Sequence, residues 1–188
     1  MKQFFKDAKG HLMTGIGYML PLIIGASIVV AIPKHIALCF GITSLDPYAD
    51  GTGVWHIMKL IENVGWTGIG MVNTVLAGFI AYSIADKPAI GAGFIGGAVA
   101  SSTYAGFLGA VIAAFIAGYT VKWAKKHIHL PESMGSVMPL VVCPLIATGF
   151  VAIIMGVILA TPLASINTWL VNWISSMCQN QSSQLVMA

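Results

Sequence analysis

The chain has 188 residues, of which 57% are hydrophobic and only 8% are charged, whereas a water-soluble domain carries about a quarter charged residues. Its net charge of +3 is small and dispersed and arginine is absent, which excludes a nucleic-acid-binding protein and any guanidinium site for phosphate. Residues 12–33, 63–85, 88–121 and 133–188 contain no Asp, Glu, Lys, Arg or His. Because about 20 apolar residues cross a bilayer core of roughly 30 Å, the sequence predicts an all-α polytopic membrane protein.

The first two predicted spans are residues 12–32 and residues 65–85. The first follows three lysines near the N-terminus, and the second ends at the charged sequence Asp86-Lys87-Pro88. Short loops rich in lysine stay on the cytoplasmic side of a membrane. The N-terminus is therefore predicted to be cytoplasmic.

A short amphipathic helix is predicted before the second span, at residues 54–62. Its apolar face holds Trp55, Met58 and Ile61. The opposite, polar face holds His56, Lys59 and Glu62. Such a pattern is typical of a helix that lies in the membrane interface with its polar side toward water.

The uncharged run 88–121 is longer than one helix needs, and Lys122, Lys125 and Lys126 follow its end. A single helix would place these lysines outside the cell, whereas two segments return them to the cytoplasm. We therefore predict two segments, residues 89–100 and 105–121, separated near residues 101–103. The first segment is short for a span and is either tilted or re-entrant.

A fifth span is predicted at residues 137–160. Beyond it, apolar residues that include Trp169 and Trp173 recur at helical spacing with polar residues between them. This pattern predicts a second interfacial helix at residues 163–178. The predicted architecture is therefore about five transmembrane helices, one of them short or re-entrant, and two interfacial amphipathic helices.

Small residues one helical turn apart predict where the spans touch. Gly93 and Gly97 form one such pair, and Ala114 and Gly118 form another. In lipid the hydrophobic effect does not drive helices together, so close backbone approach and dispersion contacts take its place.

Three polar residues are candidates for a substrate site. Asn73 places an amide in hydrocarbon, which favours a helix–helix contact over a contact with a solute. His11 lies at the entrance of the first span. Asp86 lies between two spans, where the alternative to a functional role is a helix cap and charge partner for Lys87. The sequence has no glycine-rich phosphate-binding loop, no paired intramembrane carboxylates and no His-x-x-x-His spacing on a helix, so it predicts no catalytic residue, cofactor or metal site.

Several strings together resemble one family in order and spacing. They are residues 11–21 (HLMTGIGYMLP), 81–88 (AYSIADKP), 93–97 (GFIGG), 106–109 (GFLG) and 117–119 (AGY). The family is the fructose-type enzyme IIC membrane component of the bacterial phosphoenolpyruvate-dependent sugar phosphotransferase system.

The resemblance implies an inner-membrane permease that binds a fructose-like hexose and releases it as a sugar phosphate. The phosphoryl group would come from a phosphocysteine on an enzyme IIB partner, which enzyme IIA charges, so the phosphoryl chemistry would reside on the partner. Family members resemble inverted repeats of five spans that work as homodimers. The first repeat supplies scaffold and dimer contacts, and the second supplies most sugar contacts.

The family pattern continues beyond this sequence with a polar Asp-Met-Gly-Gly-Pro-Val-Asn-Lys stretch, which residues 182–188 do not begin. We therefore expect an N-terminal half that is truncated and not competent alone, working with a complementing C-terminal half or as a homodimer. No sugar-binding residue is transferred; His11, Asn73 and Asp86 remain candidates. Two alternatives stay open: a non-transporting scaffold fragment that pairs with a full enzyme IIC, and a small-solute channel.

Overall fold

A computed structural model describes residues 2–127 and 141–186, and every regular element in those residues is helical. The helices are α1 (Lys2–Cys39), α2 (Val54–Gly70), α3 (Val72–Ala85), α4 (Lys87–Ser102), α5 (Gly106–His127), α6 (Cys143–Ile153) and α7 (Ala160–Val186), with a 3-10 turn at Asp46–Tyr48 and a π-helical stretch at Ile154–Leu159. The predicted all-α membrane architecture is confirmed.

Three stretches of the described chain are long and apolar enough to cross a membrane: Lys6–Cys39, Val54–Ala85 and Gly106–His127. The pair Cys143–Leu159 and Thr161–Cys178 forms a fourth if it is one span bent by 60°. Helix α4 has 16 residues and rises about 24 Å, which is less than the hydrocarbon thickness. It is the short segment that the sequence predicts, extended by a few residues at each end.

Helix α1 packs antiparallel to α2 and α3, which follow each other with only Met71 between them. Glycines permit the close approach: a Cβ on Gly65 would lie 2.8 Å from the backbone nitrogen of Val30 and 2.9 Å from the carbonyl oxygen of Ala26. Residues 54–62 are helical as predicted, but they are the first half of α2 and do not form a separate helix. Their interfacial position stays a prediction.

The centre of the bundle is built from small residues of α3, α4 and α5. A Cβ on Gly93 would lie 2.7 Å from the carbonyl oxygen of Ala77, and one on Gly118 would lie 2.8 Å from Ile84. Fully buried alanines fill the space between the helices, among them Ala77, Ala81, Ala92, Ala100, Ala110, Ala113, Ala114 and Ala117. The predicted small-residue contacts of Gly93, Gly97, Ala114 and Gly118 are thus confirmed.

The predicted break near residues 101–103 is also confirmed. Helix α4 ends at Ser102, and the chain turns through Tyr104 and Gly106, whose φ angles are 58° and 61°. Helix α5 then returns antiparallel to α4. The 34-residue uncharged run therefore forms two helices.

Helix α6 packs on α4 and α5 through the buried side chains of Cys143, Ala147 and Val151. Of the predicted fifth span, residues 137–140 lie outside the described residues, and the rest is helical. Helix α7 bends away, held near its start by buried Leu163 and by Asn167, whose amide donates to the carbonyl oxygen of Tyr104 at 3.1 Å. The predicted helix at residues 163–178 lies within α7; its place in the interface stays a prediction.

Candidate functional site

Contacts between helix ends gather most of the lysines at one end of the bundle. His11 Nδ1 lies 2.7 Å from Ser83 Oγ, and Lys125 Nζ donates to the carbonyl oxygen of Ala85 at 2.7 Å. These bonds bring together the start of α1, the end of α3 and the end of α5. We call this the lysine end; the lysines there are Lys2, Lys6, Lys9, Lys87, Lys122, Lys125 and Lys126.

The two ends of the bundle differ in charge. Among the described residues, the lysine end carries these seven lysines and two acids, Asp7 and Asp86, which leaves five net positive charges. The opposite end carries one net negative charge, from Lys34, Lys59, Asp46, Asp50 and Glu62. Such an asymmetry is what the positive-inside rule produces across a membrane.

Asp86 alone connects α3 to α4 at the lysine end. Its φ of 62° lies in the left-handed region, which costs a residue with a Cβ about 1–3 kcal/mol. The turn is fixed because Asp86 N–H donates to the carbonyl oxygen of Tyr82 at 2.7 Å and its own carbonyl oxygen accepts from Ala89 N–H at 3.0 Å.

The Asp86 side chain is exposed. It makes no capping hydrogen bond and no ion pair with Lys87 within the described residues, so the interpretation of Asp86 as cap and charge partner is wrong. The position is that of an N-cap, but the geometry of the turn leaves the carboxylate free.

A cavity of about 570 Å³ opens beside this turn, between α3, α4, α5 and α6. Its lining is Tyr82, Asp86, Lys87, Pro88, Gly91, Lys125 and Pro144. Two ammonium groups and one carboxylate on an exposed surface attract anions more than cations. The lining does not include His11 or Asn73.

His11 and Asn73 each join two helices. His11 on α1 contacts Ser83 on α3, whose hydroxyl donates to Thr14 at 3.5 Å. Asn73 on α3 donates to Ser101 Oγ on α4 at 3.1 Å. The structure therefore brings His11 and Asp86 to the same end but leaves Asn73 thirteen residues away along α3, about 20 Å.

A cluster of charged residues at the opposite end was missed by sequence reasoning. Glu62 accepts from Lys34 at 3.2 Å, Lys59 at 3.1 Å and the indole of Trp66 at 3.0 Å, and Lys59 also bonds Asp46 at 2.5 Å. We call Lys34, Asp46, Lys59 and Glu62 the ion cluster.

The predicted orientation of residues 54–62 toward water is wrong, because the side chains of Lys59 and Glu62 are only 10% and 4% exposed. They turn toward α1, while Ile57 and Leu60 point outward. In a membrane protein, charges within helices face protein partners and the apolar side faces lipid. Lys34 is the residue that could have indicated the cluster. In an antiparallel pair of helices joined by a short connection, the end of α1 lies beside the first half of α2, which places Lys34 near Glu62.

Asp46 is the member of the ion cluster that lies in the connection between α1 and α2. A hydrogen bond from Lys59 holds the pKa of the Asp46 carboxyl below its ordinary value, and a second bond from Ser44 acts in the same direction. Because Asp46 is well exposed, with 80% of its side chain accessible, water screens much of this attraction.

A second groove, of about 640 Å³, lies between the end of α4 and α7, away from the lysine end. Its lining is Thr103, Thr161, Ala164, Ser165, Thr168, Trp169 and Asn172. Four hydroxyls, an amide and an indole are groups that can bond and stack against a polyol.

Comparison with known families settles what kind of protein this is. Residues 13–188 match the family model described as phosphotransferase system, EIIC. The chain belongs to this family. The predicted resemblance is thereby confirmed, over nearly the whole sequence.

Named relatives of this EIIC-family chain are similar along most of its length. It is 37% identical over 168 residues to the PTS system fructose-specific EIIABC component of Bacillus subtilis, covering 89% of this chain and 26% of the relative. It is 32% identical over 186 residues to the fructose-like permease IIC component 2 of Escherichia coli, covering 98% of this chain and 49% of the relative. It is 27% identical over 194 residues to the PTS system fructose-specific EIIC component of Haloferax volcanii, covering 94% of this chain and 50% of the relative.

The chain spans about half the length of the two single-component relatives, and a quarter of the fused one. No solved structure matches it significantly. The family and its apolar helices make the chain a multi-span protein of the inner membrane.

Proposed function

We propose that this EIIC-family chain is a permease subunit that imports a fructose-like hexose in a phosphoenolpyruvate-dependent phosphotransferase system. The observation that supports the proposal most strongly is the family match over residues 13–188, together with relatives named as fructose-specific or fructose-like. The enzyme IIB and enzyme IIA partners are supported by relatives whose names describe fused EIIABC and EIIB'BC components.

The lysine end is proposed to face the cytoplasm, which places the N-terminus there as well. The support is that, among the described residues, this end carries five net positive charges and the other end one net negative charge. The phosphorylated enzyme IIB works in the cytoplasm and would approach the lysine end.

The cavity beside Asp86 is proposed as the place where the phosphoryl donor approaches the permease. Lys87 and Lys125 give its rim a positive potential, which raises the local concentration of a phosphorylated group. The transfer itself breaks the sulfur–phosphorus bond on enzyme IIB and forms an oxygen–phosphorus bond on the sugar. This chain would position the two reactants and supply no nucleophile.

Transport is proposed to need the portion of the relatives that this chain does not match, supplied by a second half, and the working unit is proposed to be a dimer. The support for the second half is that the Escherichia coli relative has about twice the matched length. The dimer is what the family resemblance implies. The groove beside Trp169 offers polar contacts to a sugar on the other side of the membrane.

A chimera tests the proposal. Residues 13–188 replace the matching half of the Escherichia coli relative, and uptake of labelled fructose is measured in cells that lack their own fructose permease. Donor-dependent uptake by the chimera, and none by the 188 residues alone, is expected. Failure of a well-expressed chimera, or full uptake by the 188 residues alone without enzyme IIB, contradicts it. Flux of small polyols without a donor would instead support a channel.

A further inference from the structure

An apolar groove runs along the outer side of α5 and ends near the lysine end. It consists of two adjoining cavities of about 430 and 310 Å³ that share Tyr119 and Thr120. Ala8 of α1 borders the first cavity and Phe150 of α6 borders the second. The remaining lining is Phe115, Ile116 and Trp123, so the groove presents hydrocarbon and aromatic surface.

Two lysines continue the face of α5 that lines this groove. Lys122 and Lys126 follow Tyr119 by three and seven residues, which places them on the same side of the helix. Both are exposed, and neither makes an ion pair within residues 2–127 and 141–186.

The start of α1 adds two further exposed lysines. Lys6 and Lys9 stand on either side of Ala8 in the sequence, and neither has an ion-pair partner in the described part of the chain. Asp7 is the only acid among them. Among the described residues, the groove therefore opens, at its charged end, onto four ammonium groups and one carboxylate.

We propose that this groove binds an anionic glycerophospholipid. One acyl chain lies against Phe115, Ile116 and Phe150, and the phosphate headgroup is held by Lys122 and Lys126. Basic pockets next to membrane helices on the cytoplasmic side suit such headgroups. Tyr119 and Trp123 lie between the apolar and the charged parts, at the depth where amphipathic aromatic rings sit in membranes.

The occupant is a lipid and not a soluble anion because the apolar groove and the lysines lie on one continuous face of α5. A free phosphate would use the lysines and leave the groove empty. A zwitterionic lipid would fill the groove but would gain little from the surplus of positive charge.

The test measures lipid binding by the purified full chain in a mild detergent, as the rise in unfolding temperature while dioleoylphosphatidylglycerol or dioleoylphosphatidylcholine is titrated. The phosphatidylglycerol is expected to act at lower concentration. An attraction of about 1 kcal/mol per lysine corresponds to a fivefold change. Lys122→Gln should weaken the response roughly fivefold, and the double variant with Lys126→Gln about 25-fold.

Lys87→Gln is the matched control, because it removes an equal charge from an exposed lysine at the same end but away from the groove. It should leave the response within about twofold. Equal responses to the two lipids in the unaltered chain would overturn the proposal, as would an equal loss in the control.

Two further outcomes would also overturn it. One is an equal effect of water-soluble glycerol 3-phosphate, which would show an anion site without a lipid. The other is a loss of binding to phosphorylated enzyme IIB in the double variant with no lipid preference, which would show a protein-docking face. The lipid titrations themselves use no sugar and no phosphoryl donor, so their failure is separate from failure of the transport proposal.

Discussion

Gly97 on α4 is the position where a single methyl group should disturb the bundle most clearly. A Cβ there would lie 2.7 Å from Thr74 Cα and 2.9 Å from Ala77 Cβ, and it would also clash with the carbonyl oxygen of Asn73. Two of these three neighbours are backbone atoms of α3, which cannot rotate away as a flexible side chain can. The two helices must therefore separate in Gly97→Ala.

Gly91, on the same helix, provides the matched control. It has open space where the Cβ would be added, so Gly91→Ala gains helix propensity without a clash. That gain is about 0.5–1 kcal/mol and is the same in both variants, so it cancels in the comparison. Overpacking costs about 1–3 kcal/mol. Gly97→Ala should therefore be less stable than Gly91→Ala by about 2 kcal/mol, equivalent to about 4–8 °C in a chain of this size.

The measurement is thermal unfolding of the purified variants in one detergent, followed by tryptophan fluorescence. The expected order of unfolding temperature is Gly91→Ala at or above the unaltered chain and Gly97→Ala below it. Equal unfolding temperatures for the two variants would refute the close approach of α3 and α4 as the source of stability.

Three further predictions concern the polar contacts. Glu62→Gln leaves two lysines without their shared anion, so the free energy of unfolding should fall by up to about 3 kcal/mol. The control Asp50→Asn, in an exposed loop, should change that free energy by less than about 0.5 kcal/mol. Equal effects of the two substitutions would count against the ion cluster. Because the pKa of Asp46 is lowered in the folded chain, its contribution to stability is present above the ordinary value of about 3.9 and is lost as the pH falls through the lowered value. The unfolding temperature should therefore fall less steeply in acid, below about pH 4, in Asp46→Asn, and an unchanged slope would contradict the bond to lysine. A double-mutant cycle of Asn73→Ala and Ser101→Ala should give a coupling of about 0.6 kcal/mol and at most about 1.7 kcal/mol, whereas no coupling would show that the bond does not hold α3 to α4.

Charge placement was enough to predict the division of the long uncharged run. The lysines after residue 121 had to return to the side of the N-terminus, and the structure confirms two helices with a turn after Ser102. Glycine spacing likewise located the contact between α3 and α4, because in lipid only small residues let two backbones approach closely.

The direction of the polar face of α2 could not be predicted from periodicity. The helical period shows that Lys59 and Glu62 share a side, but not which side meets protein. Their partner Lys34 is 28 residues from Glu62 along the chain, and the contact exists only because α1 and α2 pack antiparallel. The sequence also did not show that the Asp86 carboxylate makes no cap. The backbone conformation of the turn, with its positive φ, keeps the side chain from bonding the first N–H groups of α4, and this conformation cannot be read from the residue types.

The candidate site was only partly predictable. His11 and Asp86 were placed near the cytoplasmic edge by the sequence, and both lie at the lysine end. The lining of the cavity beside Asp86 joins residues from Tyr82 to Pro144, which come together only through the packing of four helices. A role for His11, Asn73 or Asp86 in sugar binding stays a prediction.

Formation of sugar phosphate inside proteoliposomes tests the central claim most directly. The vesicles contain the chimera of residues 13–188 with the unmatched half of the Escherichia coli relative, enclose enzyme IIB, enzyme IIA and the general phosphotransfer proteins with phosphoenolpyruvate, and receive labelled fructose outside. Labelled sugar phosphate is expected inside the vesicles, in amounts that depend on enzyme IIB and phosphoenolpyruvate, and none is expected with the 188 residues alone. Entry of free fructose at the same rate with and without the donor would contradict the central claim.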